Sequence, residues 1–227
     1  MSPGIGVGIS PFIGRRAALP YPAVLNDGNT VGFYDYLLGI TKDGANLVSA
    51  WNSIIGANHL LQATGTNQPL WSANGVLFDG IDNFMKCVAF TWNQPEFLYL
   101  VMKQVTWTNA DRIWDGNTLT SVMCYQQGVT PNLGVYSGTT QLNNTNLAIN
   151  TWGIVRVLYN GAGSKFIINN TTPVTGNAGT NSAAGFTLGA DGNNLQFSKI
   201  QVKEIINRVS TLGEAAIYAY LATKYGL

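Results

Sequence analysis

The chain has 227 residues, a formal net charge of +1 and only 10% charged residues, far below the roughly 25% typical of soluble domains. Arg15-Arg16 is the only pair of adjacent basic residues, which argues against a phosphate-tracking nucleic-acid surface. No apolar stretch approaches the roughly 18 residues that a membrane span needs. The low charge is typical either of an extracellular β-protein or of a subunit packed inside a larger assembly.

The first segment, MSPGIGVGISPFIGRRAALP, is apolar but repeatedly broken by Gly and Pro. It lacks the basic start of a secretory signal peptide, and its two arginines follow the apolar part. An uncharged Gly/Pro segment cannot form a core alone, so it is either disordered or extended against a partner. We therefore predict an extended N-terminal arm over residues 1–24 and one folded domain over residues 25–227.

Residues 31–207 consist of short apolar runs separated by Gly, Asn, Pro and Asp. VGFYDYLL predicts a first strand, and GVLFD and FMKCVAF on either side of GIDN predict a hairpin. The long apolar run EFLYLVMKQV predicts a central strand buried on both faces. TWGIVRVLYNG and SKFIINN predict a second hairpin, and irregular alternation in LQFSKIQVKEII predicts a bulge or bend near its start. This pattern predicts an all-β sandwich or barrel.

The chain closes with EAAIYAYLATKYGL, an amphipathic helix at the end of an otherwise β-rich sequence. Thr211 and Glu214 have the spacing of a capping box, with Ser210 as the alternative cap. Ile217 and Leu221 fall on one face, and Gly226 supplies the stop. Because so short a helix is unstable alone in water, we expect it to lie on the sandwich.

Four stretches resemble, in this order, the laminin-G-like jelly roll, a relative of the concanavalin A-like lectins and glucanases. They are HLLQATGTNQPLW…NGVLFDGIDNFM, NTWGIVRVLYNGAGSKFIINN, GFTLGAD and FSKIQVKEIINRVSTLGEAAIYAYLATKYGL. The resemblance covers about residues 45–227 and implies an all-β, two-sheet antiparallel jelly-roll sandwich with one C-terminal helix. The family often has two acidic residues after F-D-G-x, whereas here Asp82 precedes Asn83. This departure weakens a calcium site, and Asp79 and Asp82 are interpreted as turn caps.

The N-terminal MSPGIGVGISPFIGRR is similar to the start of small structural proteins of tailed bacteriophages. That resemblance implies a virion component, made in the host cytoplasm and released by lysis. It agrees with the low charge and with the absence of a signal-peptide pattern.

Glucanases of this fold carry an E-x-D-x-x-E strand motif that brings acid and nucleophile to one cleft, and no such run occurs here. Before the last helix the only glutamates are Glu96 and Glu204. Asp111 and Asp115 are the nearest approach to a carboxylate pair, and we interpret both as turn formers. The single histidine, His59, is interpreted as structural or exposed. The sequence therefore predicts that the chain is not an enzyme and has no catalytic residues and no cofactor.

Cys87 and Cys124 each lie inside an apolar run. They are predicted to be two buried thiols, with one disulfide as the alternative if their strands are neighbours. No Cys/His cluster has zinc spacing, so no metal site is predicted.

Sugar sites pair an aromatic face with nearby amides and carboxylates that bind hydroxyls. Trp107, Asn109, Asp111 and Trp114 would form such a group if they share one rim of the sandwich. Trp92 also lies where a strand runs into an Asn-rich loop. The alternative is that Trp92 and Trp107 pack between the sheets or against a neighbouring subunit. Trp152, which matches the family's hairpin Trp, is predicted to be core.

The leading hypothesis is a non-enzymatic virion protein: a decoration, fibre or tail-associated subunit whose arm docks on other virion subunits. Its loops would face outward and offer a weak site for host glycans, and we expect a homo-oligomer. The second hypothesis is a carbohydrate-binding lectin module of a bacterial protein. The third is a divergent glycoside hydrolase.

Overall fold

The computed structural model describes residues 20–119, 121–139 and 141–227, so most of the predicted arm, residues 1–19, lies outside the described residues. Strands alternate with short connections along the described chain until a single α-helix closes it. The strands are β1 (Thr30–Asp35), β2 (Ile40–Lys42), β3 (Val48–Trp51), β4 (Leu60–Leu61), β5 (Leu70–Ser72), β6 (Gly75–Leu77), β7 (Met85–Lys86), β8 (Glu96–Gln104), β9 (Arg112–Asp115), β10 (Met123–Gln126), β11 (Leu133–Tyr136), β12 (Leu142–Asn144), β13 (Trp152–Tyr159), β14 (Ser164–Ile168), β15 (Val174–Gly176), β16 (Thr187–Leu188) and β17 (Ile200–Arg208), and the helix is α1 (Glu214–Tyr225). Three short 3₁₀ turns lie at Ala23–Asn26, Gly65–Asn67 and Gly161–Gly163.

The strands form two antiparallel sheets, which confirms the predicted fold class. Sheet A has the order β15-β14-β13-β8-β17-β6-β5, and β1 also pairs with β17. Sheet B has the order β12-β11-β10-β9-β16-β7-β4-β3-β2. Strand β8 lies between β13 and β17 and is buried along nearly its whole length. The prediction of a central strand at EFLYLVMKQV is therefore confirmed.

One predicted hairpin is confirmed and the other is wrong. β13 pairs with β14 across the Asn160–Gly163 turn. β6, however, pairs with β5 and β17 in sheet A, whereas β7 pairs with β4 and β16 in sheet B. The GIDN turn therefore carries the chain from one sheet to the other and does not join two neighbouring strands.

The crossing turn is held by its own first carboxylate. Asp79 Oδ1 accepts hydrogen bonds from the backbone N–H groups of Ile81 (2.9 Å) and Asn83 (3.3 Å). Gly80, between Asp79 and Ile81, has a φ of +75°, a conformation that residues with a Cβ rarely adopt. The interpretation of Asp79 as a turn cap is confirmed.

Alternation along β8 divides the apolar side chains between two cores. Leu98, Leu100 and Met102 point into the core between the sheets, and the intervening Phe97 and Tyr99 point to the outer face of sheet A. α1 covers that outer face, as predicted. Its Ile217 and Leu221 are fully buried there, and burial of each such side chain stabilises the fold by roughly 1.5–3 kcal/mol.

The end of α1 agrees with the prediction and its start does not. Gly226, with a φ of +68°, terminates the helix. The predicted capping box is wrong, because Gly213 occupies the N-cap position and no side chain caps the helix. The side chain of Glu214 instead binds Arg156 on β13 at 3.0 Å. With 12 residues, α1 falls short of the length that would cross a membrane, and the described chain contains no other α-helix.

The predicted irregularity at the start of LQFSKIQVKEII is confirmed, because Gln196 has a φ of +53°. A second irregularity follows, since the register of β17 against β8 shifts between Val202 and Glu204. Lys203 is therefore the extra residue of a β-bulge.

Candidate functional site

Three of the four predicted site residues lie together in one loop. Trp107, Asn109 and Asp111 follow the end of β8, and this loop is bound to the loop between β10 and β11. The Trp107 indole N–H donates to Asn132 O (3.1 Å), and the Gly128 N–H donates to Asn109 Oδ1 (2.7 Å). We call residues 105–111 and 127–132 the Trp107 rim.

The Trp107 ring is held in place and still partly open to solvent. Its side chain is half-buried, and its hydrogen bond to Asn132 O fixes the plane of the indole. A fixed, partly exposed indole offers a face for the C–H side of a pyranose ring at little cost in side-chain entropy. This is the geometry that the sequence pattern predicted for Trp107.

Amide groups with unused hydrogen-bonding capacity lie beside the ring. Asn109 is exposed, and its Nδ2 has no partner within the described chain. Asn132 Oδ1 is buried and unpartnered, while its Nδ2 donates to Gln127 O (3.0 Å). Val129 stands at the tip of the second loop with 73% of its surface exposed. The rim therefore presents an aromatic ring, polar groups and an apolar tip to solvent.

Two fully buried glutamines bind the backbone of the two loops that form the Trp107 rim. Gln126 Oε1 accepts the Thr108 N–H (2.8 Å), and Gln126 Nε2 donates to Gln104 Oε1 (2.9 Å). Gln104 Nε2 in turn donates to the carbonyl groups of Pro131 (3.0 Å) and Leu147 (2.9 Å). Both glutamines end strands and are 0% exposed. Sequence reasoning missed them, although an uncharged polar residue at the end of an otherwise apolar strand is a usable signal.

Asp111 is half-buried at the base of the rim. Burial raises the pKa of Asp111, and a hydrogen bond with the side chain of Thr108 and the charge of Arg112 oppose that shift. Its backbone carbonyl accepts the Gln126 N–H at 2.9 Å. Asp111 therefore lies in the same loop as Trp107, and its backbone joins that loop to β10.

The structure does not bring Trp114 to this surface. Arg112 lies opposite Tyr125 and Trp114 lies opposite Cys124, so Ile113 is an extra residue on β9. Arg112 packs over the Tyr125 ring at 4.7 Å, whereas the bulge lets both Ile113 and Trp114 enter the core, where Trp114 is 1% exposed. Trp114 therefore cannot contact a ligand at the Trp107 rim.

The second aromatic loop lies at the opposite end of β8, roughly 25 Å away along the strand. Residues 89–93, together with Ser182 and Ala184, line an open cleft of about 360 Å³. Phe90 stacks on Trp92 with ring centroids 5.8 Å apart. Trp92 itself is 1% exposed, so the alternative that it packs inside is confirmed for Trp92, and Phe90 is the aromatic side chain that this cleft offers.

The other side chains that the sequence analysis weighed for catalysis or metal binding have structural roles. His59 Nδ1 accepts the Ser53 N–H (3.0 Å). Asp115 is fully buried and accepts the N–H groups of Gly116 and Gly192. Cys87 and Cys124 are free, buried thiols, as predicted. Across the described ranges, no three His, Cys, Asp or Glu side chains gather as metal ligands would.

No protein-family model matches the sequence, and no curated protein matches it. Solved structures do match the fold. The sialidase of Trypanosoma rangeli in complex with sialic acid superposes with a TM-score of 0.64 at 11% identity, over 87% of this chain and 33% of the sialidase. Domain 4 of a GH43 extracellular arabinanase from Geobacillus stearothermophilus, in complex with arabinotriose, gives 0.50 at 15% identity over 85% of this chain and 98% of that domain.

A third match is the receptor-binding domain of botulinum neurotoxin mosaic serotype C/D, with a TM-score of 0.54 at 11% identity over 87% of this chain and 51% of that chain. The chain thus spans about one third of the sialidase chains that it matches. At this level of identity the likeness establishes a shared β-sandwich fold.

These matches contradict the prediction that the chain is not an enzyme, because the same fold occurs in sialidases and in a domain of an arabinanase. The prediction rested on the missing E-x-D-x-x-E run. Its weakness is physical: glycoside hydrolysis requires two carboxyl groups at a suitable separation in space, and residues far apart in sequence can meet that requirement.

Proposed function

We propose that this chain is a carbohydrate-binding β-sandwich and that the Trp107 rim binds the sugar. The observation that carries the proposal is a half-exposed indole, fixed through Asn132, with Asn109 beside it as a free amide donor. Stacking on the ring contributes affinity, and the amide selects hydroxyl positions. The solved structures with sialic acid and with arabinotriose support the choice of ligand class.

We further propose that the protein is a virion component with a laminin-G-like jelly roll. It would be a decoration, fibre or tail-associated subunit that forms a homo-oligomer. The support is the phage-like N-terminal sequence and the low content of charge. The arm would dock on other virion subunits and leave the rim facing outward. A lectin module of a bacterial protein is the alternative setting for the same site.

Glycan binding is tested by comparing two alanine variants at opposite ends of the sandwich. Trp107→Ala removes the stacking ring, and Phe90→Ala removes the exposed ring of the distant cleft. The probe is a glycan array read with the full chain, followed by titration of the best ligand. We expect Trp107→Ala to weaken binding at least about fivefold, since stacking of a ligand ring on an aromatic side chain contributes on the order of 1–3 kcal/mol, and Phe90→Ala to leave it unchanged.

Far-UV and near-UV circular dichroism of both variants checks that each remains folded. Asn109→Ala is the second variant, because an exposed side chain can be truncated with little effect on stability. Loss of binding in Phe90→Ala with full binding in Trp107→Ala and Asn109→Ala would place the site in the cleft and refute the rim. The absence of any bound glycan would refute the function.

The setting is tested by deleting residues 1–19. This boundary is preferable to residue 24, because Tyr21 packs edge-on against Phe33 with ring centroids 5.2 Å apart and Leu25 is fully buried. For a virion subunit we expect the truncated protein to fold and to be missing from assembled particles. Normal incorporation of the truncated protein would overturn the docking role of the arm.

A further inference from the structure

A second aromatic surface lies on the outer face of sheet A, beside the C-terminal end of α1, where the Lys203 ammonium is 5.5 Å from the centroid of the Tyr225 ring. Trp152 lies directly opposite Lys103 in the pairing of β13 with β8. The Lys103 ammonium is 5.4 Å and the Lys203 ammonium is 4.2 Å from the centroid of the Trp152 ring. All three side chains are half-buried, so Trp152 is not the core residue that its sequence pattern predicted. We call these three residues the Trp152 site.

The β-bulge in β17 creates this arrangement. Val202 lies opposite Met102 and Glu204 lies opposite Val101, which leaves Lys203 as the inserted residue. Val202 points into the core between the sheets. With regular alternation Lys203 and Glu204 would point to opposite faces, but the bulge lets both reach the outer face. The second lysine is therefore placed over Trp152 by the backbone itself.

The two lysines have no carboxylate partner in the described chain. Its ion pairs join Arg156 to Glu214, Arg208 to Asp27, and Lys224 to Asp35 and Glu204. Glu204, the nearest acid in sequence to Lys203, is bound to Lys224 and to the Tyr225 hydroxyl. Burial and the charge of Lys103 lower the pKa of Lys203. The positive charges of Lys103 and Lys203 are thus held against the Trp152 ring without a carboxylate of the described chain to neutralise them.

The indole N–H of Trp152 is also unused. Trp51, Trp71, Trp92 and Trp107 each donate this hydrogen to a backbone carbonyl. Trp152 is partly exposed and has no such acceptor within the part of the chain that the structure describes. Two ammonium groups therefore lie over the Trp152 ring, and the N–H on its edge is available to a further acceptor.

We propose that the Trp152 site binds a sugar that carries a carboxylate on its ring. A carboxylate accepts charge-assisted hydrogen bonds from lysine ammonium groups, and the pair Lys103 and Lys203 matches its negative charge. A carboxylate bonded directly to a pyranose carbon also brings the neighbouring ring hydroxyl towards the indole N–H of Trp152, which can donate a hydrogen bond to it. Free sulfate or phosphate would meet the charges without presenting a sugar hydroxyl to that N–H. The site is separate from the Trp107 rim and does not depend on it.

The test follows the indole N–H signal of Trp152 by ¹H–¹⁵N NMR of the full chain, with that signal assigned from Trp152→Phe. Sodium glucuronate, glucose and sodium sulfate are titrated separately at low ionic strength, since salt screens such pairs. We expect a saturable shift with glucuronate, and none with glucose or sulfate at the same concentration.

The matched variants each remove two positive charges. Lys103→Gln with Lys203→Gln removes the Trp152 site, and Lys42→Gln with Lys165→Gln removes two lysines elsewhere on the surface. We expect the first pair to raise the Kd for glucuronate at least tenfold and the second to change it less than twofold. Trp107→Ala should leave the Trp152 shift intact, which separates this result from the fate of the rim. An equal shift with sulfate, an equal loss in both pairs, or no shift with glucuronate would overturn the proposal.

Discussion

Glu96 Oε1 accepts the backbone N–H of Ala183 at 2.9 Å, a contact that joins the first residue of β8 to a loop 87 residues later. The carboxyl group is 0% exposed, and Oε2 has no partner within the described chain. Burial therefore raises the pKa of Glu96 to about 8, although the Ala183 N–H opposes the shift. The contact fixes the loop that forms one wall of the Phe90 cleft.

The first prediction concerns the pH dependence of this contact. The folded pKa of about 8 lies above the ordinary value of 4.5, so the folded state binds the proton more tightly than the unfolded state. The stability that Glu96 contributes is fully present below pH 4.5 and is lost as the pH rises to about 8, by on the order of 4 kcal/mol.

Glu96→Gln isolates this effect, because glutamine accepts the same N–H and does not titrate. Urea unfolding at pH 4.5, 6.5 and 8.5 gives the free energy of unfolding of both proteins. We expect the wild type to lose stability relative to Glu96→Gln as the pH rises. A difference between the two that stays constant with pH would contradict the prediction.

The second prediction concerns Arg208, whose side chain is fully buried at the end of β17. It donates to Val24 O (2.9 Å), Thr30 Oγ1 (2.8 Å) and Asp27 Oδ2 (2.7 Å). Arg208→Met leaves these acceptors without their donor and should reduce the free energy of unfolding by about 3–5 kcal/mol. Lys165→Met, which removes a half-exposed charge, is the control and should change it by less than about 0.5 kcal/mol.

The ion pair between Asp27 and Arg208 should also make the stability of the protein depend on pH. Burial raises the pKa of Asp27, but hydrogen bonds from Arg208 and Asn29 outweigh that effect and lower the pKa to about 2. The stability from Asp27 is therefore present above about pH 4 and is lost as the pH falls towards 2. Arg208→Met should reduce this acid-side loss, because only the hydrogen bonds from Asn29 would still lower the pKa of Asp27. An unchanged acid transition would argue against the ion pair.

The sequence was sufficient for the fold where periodicity is decisive. The long apolar run EFLYLVMKQV identified β8 as a central strand, and the pair Ile217 and Leu221 identified the buried face of α1. The sequence was insufficient to predict which strands pair with each other. The GIDN turn has the chemistry of a hairpin, yet the next strand pairs in the other sheet, because only tertiary packing decides between the two.

Bulges explain the errors at the candidate sites. One extra residue at Ile113 changes the face on which the next residue of β9 lies, so Trp114 is in the core and is not at the rim with Trp107. One extra residue at Lys203 brings a second lysine to Trp152. Neither bulge has a Gly or Pro to mark it, so the sequence does not show which side chains each bulge turns to the other face.

The third prediction concerns the packing of α1. Leu221 is fully buried against sheet A, and Leu221→Ala should cost about 2–5 kcal/mol through lost burial and the cavity left behind. Thr223 is exposed on the same helix, so Thr223→Ala is the matched control and should be neutral or slightly stabilising. Urea unfolding measures both, and equal effects of the two changes would show that the helix contributes little through packing.

The last prediction separates backbone strain from steric conflict at two glycines. Gly179 has a φ of +110°, and a Cβ there would lie 2.1 Å from Ser137 O, which is backbone and cannot move aside without the loop. Gly128 has a φ of +69° with nothing within 4 Å of the same atom. Gly128→Ala should therefore cost only the conformational term, about 1 kcal/mol, and lower the Tm by about 2–4 °C. Gly179→Ala carries the clash as well and should cost at least about 3 kcal/mol.

Because Gly179 O also accepts a hydrogen bond from Gln94 Nε2 (3.1 Å) beside the Phe90 cleft, its backbone shift should alter the near-UV circular dichroism of the stacked Phe90 and Trp92. Equal Tm losses in the two variants would show that the loop yields to the methyl group, in which case that wall of the cleft is compliant.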